Sequence, residues 1–494
     1  MTHVAVRRVY LKLLAVVYAL AFASLLVQMG GLIGRGGILP MRAWLAAVQA
    51  QTGAERYLLV PTLCWLWDGD GMLYLLGGLG ITAAAVAFFE YAVVPALALA
   101  WVAYLSLVSV GQDFLSFQWD TLLLETGFVS IFLAPPGLGR AARAQPTPVI
   151  SLWLMRWLVF RLMFSSGVVK LLSGDASWWG LTALAVHYET QPIPNAPAWY
   201  VHQLPAWSHK VATLQMFAVE LAAPFLIFFY RHPRLRLAGA SLLAALQLAI
   251  AATGNYGFFN LLSAALCVLV VDDAHLPARW RSTVVEPTSA QPTAVRPSWS
   301  WPRPLLIAVA GLLGTLSLVQ LGATLRLVRR LPPPLAAVYS WTSPLRIVNG
   351  YGLFAVMTTT RPEIVVEGSE DGERWLPYDF RYKPGDMRRA PPQVAPHMPR
   401  LDWQMWFAAL DRWDETSWFA AFEAALLQAR PAVLALLAHD PFAGRRPRFI
   451  RARLYRYRFS RGGEAKDGAW WVREELGPYG PTLSAEQVVA DVRN

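Results

Sequence analysis

Charged side chains are scarce in this chain. Asp, Glu, Lys and Arg make up 15% of its 494 residues, against roughly 25% in soluble globular domains. With 55% hydrophobic residues and a mean hydropathy of +0.37, this deficit points to a polytopic membrane protein with one soluble portion. Cysteine is almost absent. Cys64 falls in a loop and Cys267 inside a hydrophobic run, which excludes a disulfide framework, a zinc spacing or a CxxC redox pair. No phosphate-binding loop, nucleophile elbow or dinucleotide glycine pattern occurs in a convincing context, so no cofactor and no metal is expected. No Asn-x-Ser/Thr acceptor is present, so there is no sign of N-glycosylation. The net charge is +11, but that sign alone does not imply nucleic acid, because Lys and Arg collect in the cytoplasmic loops of membrane proteins.

Long hydrophobic runs are what the chain does have. Runs of about 17–25 apolar residues mark transmembrane helices. Here they fall at 10–32, 72–89, 91–110, 114–134, 149–172, 211–229, 237–253, 256–271 and 304–326. The first is longer than a signal-peptide core and has no clear cleavage site after it, so it reads as a retained helix. Arg7, Arg8 and Lys12 put the N-terminus in the cytoplasm. Alternating from there, Arg140 and Arg143, then Arg231, Arg234 and Arg236, then Arg279, Arg281, Arg296 and Arg303 all fall inside, as the positive-inside rule expects. Arg35, Arg42 and Arg56, in the outer loop 33–71, go against the pattern. Gly77-Gly78-Leu79-Gly80 lies in a span, where small residues permit close helix contact.

The expected fold is a polytopic α-helical membrane bundle with a C-terminal extracytoplasmic mixed α/β domain having a β-sheet core. The expected parts are a multi-pass domain over 1–271 with about eight spans, a Pro/Ser/Thr/Arg-rich cytoplasmic linker over 272–303, a last span over 304–326, and the outer domain over 327–494. In the outer domain, PEIVVEGSEDGERWLPYDFRYKPGD reads as a hairpin around a Glu-Asp-Gly turn, and RFIRARLYRYRF alternates for a whole strand. LDWQMWFAALDRW and SWFAAFEAALLQAR read as helices. In the outer loop 33–71, MRAWLAAVQA is amphipathic and suits the membrane interface.

The spans carry polar groups that hydrocarbon penalises. A carboxylate at membrane depth costs about 2.5–3.5 kcal/mol on insertion scales, so it must face protein, water or a partner charge. Counting about 1.5 Å per residue along each helix places Glu125, Arg161 and Glu220 together near the midplane. An arginine fork there can bridge two carboxylates. The cluster is either an ion-pair staple between helices or a polar cavity for substrate or proton chemistry. Asp113, Gln118, Asp120 and Lys170 lie nearer the outer surface. Asp113 and Asp120 share a helix face, and Lys170 shares one with Arg156. A desolvated Lys170 could act as a general base or simply snorkel to the interface. The outer segment 173–210 adds His187, Glu189, His202 and His209, none at compact helical metal-ligand spacing. Trp375, Trp403, Trp406, Trp413, Trp418, Trp470 and Trp471 mostly suit the core of the outer domain. Any exposed subset would form a sticky surface for a client protein.

Several blocks, in order, resemble the lipase maturation factor family. They are FLSFQWDTLLLETGF (Phe114 to Phe128), RLMFSSGVVKLLSGDASWW (Arg161 to Trp179), HYETQPIPNAPAWYVHQLP (His187 to Pro205), NGYGLFAVMTTTRPEIVVEGSEDGERW (Asn349 to Trp375), and YKPGDMRRAPP followed by PHMPRLDWQMWFAAL ending at Leu410. The resemblance implies a multi-pass membrane protein whose C-terminal domain lies outside the cytosol. In animals, members reside in the endoplasmic reticulum and help secreted lipases fold and assemble into active homodimers. It also implies a maturation factor and not an enzyme, with no catalytic residues to carry over. The partners expected are the lipid bilayer and an exported client protein such as a lipase, with no nucleic acid. The Ala- and Arg-rich composition and the missing glycosylation acceptors suit a bacterial inner membrane with a periplasmic C-terminal domain; a eukaryotic protein would sit in the endoplasmic reticulum membrane. A competing reading is a membrane enzyme, since the bundle is distantly similar to vitamin K-dependent γ-carboxylase. Its polar cavity would hold Glu125, Arg161 and Glu220, with Lys170, Asp120 and Glu125 as catalytic candidates. A transporter is disfavoured by the lack of an inverted repeat or paired broken helices.

Overall fold

The computed structural model describes residues 2–281, 300–462, 464 and 468–486. Much of the expected linker (282–299, with Arg296) and the Arg140 side chain lie outside the described residues. Among the described residues nine helices form the bundle: α1 (Val4–Leu26), α2 (Asp70–Phe88), α3 (Val93–Val110), α4 (Gln118–Leu133), α5 (Val149–Leu172), α6 (Ala206–Leu221), α7 (Pro233–Thr253), α8 (Phe259–Val268) and α9 (Arg303–Thr324). Seven are long and apolar enough to cross a membrane, α6 being counted through the 3-10 turns that extend it to Phe228. The two shorter ones are α4, at 16 residues, and α8, at 10. At about 1.5 Å per residue, α8 covers only half a bilayer core of about 30 Å. Its missing length is supplied by the buried loop Gly254 to Phe258.

Packing follows the sequence where small residues allow close approach. A Cβ on Gly77 would come within 2.6 Å of Leu26, and one on Gly80 within 2.2 Å of Phe22, so α2 lies directly on α1. Gly78 faces open space. A Cβ on Gly127 would meet the Tyr18 hydroxyl at 1.8 Å, which fixes α4 against α1 in the same way. Helix α9 is the least embedded. Of its residues only Leu306, Leu313, Leu316 and Ser317 are buried, and Trp157 Nε1 donates to Ser317 Oγ at 2.8 Å.

The two ends of the bundle differ in chemistry. One gathers the basic loops. Arg8 pairs with Glu90 at 2.7 Å, and Arg143 reaches the same carboxylate at 3.5 Å. Arg7 donates to the carbonyls of Arg143 and Pro146, Arg236 pairs with Asp272, and Asp273 accepts from the free backbone N–H groups of Val4 and Val6 at the start of α1. The opposite end, here the sheet end, carries the C-terminal region.

The C-terminal region has an antiparallel sheet. Strands β1 (Arg361–Ser369), β2 (Leu376–Pro377), β3 (Phe449–Phe459) and β4 (Trp471–Pro478) lie in the order β2-β1-β3-β4, and β5 (Leu483–Ser484) pairs with β3. The predicted hairpin forms with Gly368 opposite Leu376. Its turn is held by Asp371 Oδ1, which accepts from the N–H groups of Glu373 and Arg374, both at 2.8 Å. The alternating strand predicted at RFIRARLYRYRF is β3, and the two predicted helices are α10 (Arg400–Leu410) and α11 (Ser417–Leu427). Trp403, Trp406, Trp418 and Trp471 are buried, and Trp375, Trp413 and Trp470 are half-buried. None of the seven tryptophans is fully exposed, so they do not form the sticky surface considered from sequence.

Candidate functional site: two closed ion-pair ties and one open cavity

The intramembrane charges sort into three separate places. Asp120, in the first turn of α4, is fully buried. It accepts from Arg400 Nη1 at 2.8 Å, Arg400 Nη2 at 2.7 Å and the Tyr104 hydroxyl at 2.5 Å. Arg400 starts α10 and donates again to the Phe114 carbonyl at 2.7 Å. A bidentate arginine–carboxylate pair is strong and geometrically exacting. This one locks the sheet-end domain to the bundle. Asp113, expected to join Asp120 and Lys170, is exposed; its backbone carbonyl accepts from Gln404 of α10.

Glu125 forms the second tie. It pairs with Arg161 of α5 and accepts from Asn349 N at 2.8 Å, Asn349 Nδ2 at 3.2 Å and the Tyr351 hydroxyl at 2.7 Å. Arg161 Nη1 in turn donates to the Asn349 carbonyl at 3.1 Å, and Gln118 Oε1 accepts from Gly352 N at 3.2 Å. An ionised carboxylate offers about four lone-pair sites, and Glu125 receives four donors from protein. The segment after α9 is thus threaded back onto α4 and α5.

Glu220 does not join Arg161, contrary to the sequence expectation. Its two oxygens accept from Lys170 Nζ at 2.8 and 2.7 Å. Depth counted along each helix assumed that the helix ends lie level. Lys170 sits at the last turn of α5 and Glu220 at the last turn of α6, so α6 starts well above the end of α5 and brings Glu220 up to the lysine.

The Lys170–Glu220 pair lines a cavity of about 730 Å³ among α5, α6, α7, α8 and the helix Ala183–Thr190. Gln247 and Asn260 meet along its wall at 2.8 Å, and His187 Nε2 lies 2.9 Å from the Tyr256 hydroxyl. Burial, with Lys170 adding to it, pushes His187 down to about 4, so the imidazole is neutral. Glu189 and His202, grouped with His187 from sequence, lie apart from it. Glu189 Oε2 accepts from Phe459 N at 3.0 Å and lies 3.5 Å from His202 Nε2. Burial raises the Glu189 carboxyl and lowers His202 to about 4. His209 is buried beside Tyr188.

Several key residues carried no readable role in the sequence. Arg400, Asn349 and Tyr351 lie in blocks with a family resemblance, yet nothing in the chain shows that they reach Asp120 and Glu125, more than 200 residues away. Asn255 is a hub of the same kind. It donates to the carbonyls of Ile193 and Pro392 and accepts from the N–H groups of Val394 and Ala395.

Fold and site define a multi-pass membrane protein whose C-terminal domain is fastened to its helical bundle by buried charge. Residues 5–278 match the family model for the lipase maturation factor transmembrane domain, and residues 347–481 match the model for the lipase maturation factor C-terminal domain. The chain belongs to the lipase maturation factor family. Human lipase maturation factor 2 is 37% identical over 97% of this chain and 82% of its own length. Cattle lipase maturation factor 1 is 37% identical over 98% of this chain and 89% of its own length, and the mouse form of factor 1 is 37% identical over 98% and 88%. No solved structure matches.

Proposed function

We propose that this protein is a membrane-embedded maturation factor that assists the folding or assembly of exported proteins, lipases being the clients indicated by its relatives' names. The reading rests above all on the match to both family models along one chain. The geometry adds a physical reason. Asp120 and Glu125 are buried and held by protein donors, three on Asp120 and four on Glu125, which suits them to fastening more than to substrate chemistry. With no nucleotide motif in the sequence, help to a client would be passive holding, ended when the client buries its own core. The surface for holding is the sheet-end segment 33–71, where Tyr57, Leu58, Leu59, Leu66 and Trp67 are exposed.

The domain division we propose is the one expected from sequence: bundle 1–271, linker 272–303, last span 304–326 and outer domain 327–494. The sheet end faces away from the cytoplasm, because Arg8, Arg143 and Arg236 gather at the opposite end and basic loops stay inside. In a bacterium, which the composition suits, the outer domain would then lie in the periplasm.

The test is co-expression with a secreted lipase, scoring active lipase per unit of lipase protein, with a photo-crosslinking residue at Leu66 or Trp67. The expected result is a fall in specific activity when the factor is absent, and crosslinks to the immature lipase. Unchanged specific activity without the factor would refute the reading. An enzyme would instead lose function in Lys170→Met at normal abundance.

A further inference from the structure

We propose that the cavity between α6 and α7 is a binding site for an uncharged acyl lipid with a hydroxyl or ester head, of the monoacylglycerol kind, entering sideways from the bilayer. Its volume of about 730 Å³ falls within the roughly 300–1,000 Å³ of small-molecule sites. The walls separate by polarity along the bundle. Toward the sheet end they present Lys170, Glu220, His187 and Tyr256; toward the basic end, Leu162, Leu226 and Leu242. An amphiphile has the same division between head and tail.

The opening faces lipid. Ala218 and Ala222 at the end of α6, and Ala245 and Ala249 one turn apart on α7, line the cavity and are exposed. Their short side chains leave a slot between two helices whose neighbouring outward residues, Leu214 and Leu248, are also exposed. In a membrane that surface meets acyl chains and not water, so the molecule that reaches the slot is a lipid.

The charge inside selects the head. Among the described residues, Lys170 and Glu220 are the only charged side chains on the lining, and they cancel at 2.7 Å. An anionic head would meet a lysine whose charge Glu220 already neutralises, so it would be buried without a counter-charge, which is strongly unfavourable. A neutral head needs no counter-charge. Lys170 has three donors, two of them on Glu220, which leaves one N–H for an ester carbonyl. The second nitrogen of His187 adds a neutral hydrogen-bonding group beside it, while Gln247 and Asn260, paired with each other, lie lower along α5, next to Met163. The site is independent of which client the protein serves.

The test uses the full-length chain in lipid nanodiscs with a monoacylglycerol bearing a diazirine on its acyl chain, and maps the labelled peptides. Label is expected on the cavity-facing parts of α6 and α7, competed by unlabelled monoacylglycerol but not by an equal amount of free fatty acid or phosphatidylglycerol. Ala245→Trp, or Ala249→Phe, fills the slot and should cut labelling by at least about tenfold, equivalent to about 1.4 kcal/mol. Competition is measured on the unaltered chain and decides the question even if both substitutions prevent folding. Equal competition by the fatty acid or the phospholipid, label confined to outward faces such as α9, or undiminished label in a folded Ala245→Trp protein would each overturn the proposal.

Discussion

Glu423 shows at the scale of one residue what burial does to a charge. It lies on α11, fully buried, with Oε2 accepting from Trp413 Nε1 at 2.8 Å and no partner on Oε1. Burial pushes its carboxyl up to about 8, far above the usual range near 4.3. The folded state therefore keeps Glu423 protonated while the unfolded chain ionises. The stability this contributes is complete below the unfolded value and is lost as pH rises through about 8. Glu423→Gln should remove that slope. Thermal melts of parent and variant should coincide near pH 4 and diverge by pH 8, with the variant melting higher. Parallel melting curves across that range would show that Glu423 does not set the pH response.

Between elements, α4 and α10 are held by Asp120 and Arg400. Removing one member of a buried pair strands the other, at a cost of about 3–5 kcal/mol, whereas replacing both with apolar residues of similar size is often neutral. Asp120→Leu or Arg400→Met alone should sharply lower melting temperature and abundance in the membrane. The double substitution should recover most of the loss, and purely additive losses would mean that the pair is not the fastening. The elements themselves were legible: hydrophobic length marked the spans, and period-2 alternation marked β3. Their lengths were not, since α8 is completed by a buried loop instead of a full helix. The partners of Glu220 were not legible either, because helical rise gives depth along a helix but not the level at which that helix begins.

For the whole molecule, the decisive property is which way the sheet end faces. Cys64 and Cys267 are both buried, so the chain offers a quiet background for cysteine labelling. Glu373→Cys, at the exposed β1–β2 turn, should react with a membrane-impermeant maleimide added to the non-cytoplasmic side of sealed membranes. Arg234→Cys, at the start of α7, should react only after permeabilisation. The reverse pattern would invert the topology and with it the client reading. The fastening of the C-terminal region also changes what truncation can teach. Deleting it would strand Asp120 and lay open the end of α4, so point substitutions on segment 33–71 are the cleaner probes of holding.

Sequence alone determined that this chain is a membrane bundle with an alternating-strand domain at its end, because hydrophobic length and side-chain period are local properties that any stretch of chain displays. Only the tertiary structure decided which charge meets which. Arg400 reaches Asp120 across 280 residues, and Lys170, not Arg161, holds Glu220. Ion-pair partners are chosen by where helices begin and how they dock. That choice is settled by packing of the whole chain, where an unpaired buried charge is too costly to leave standing.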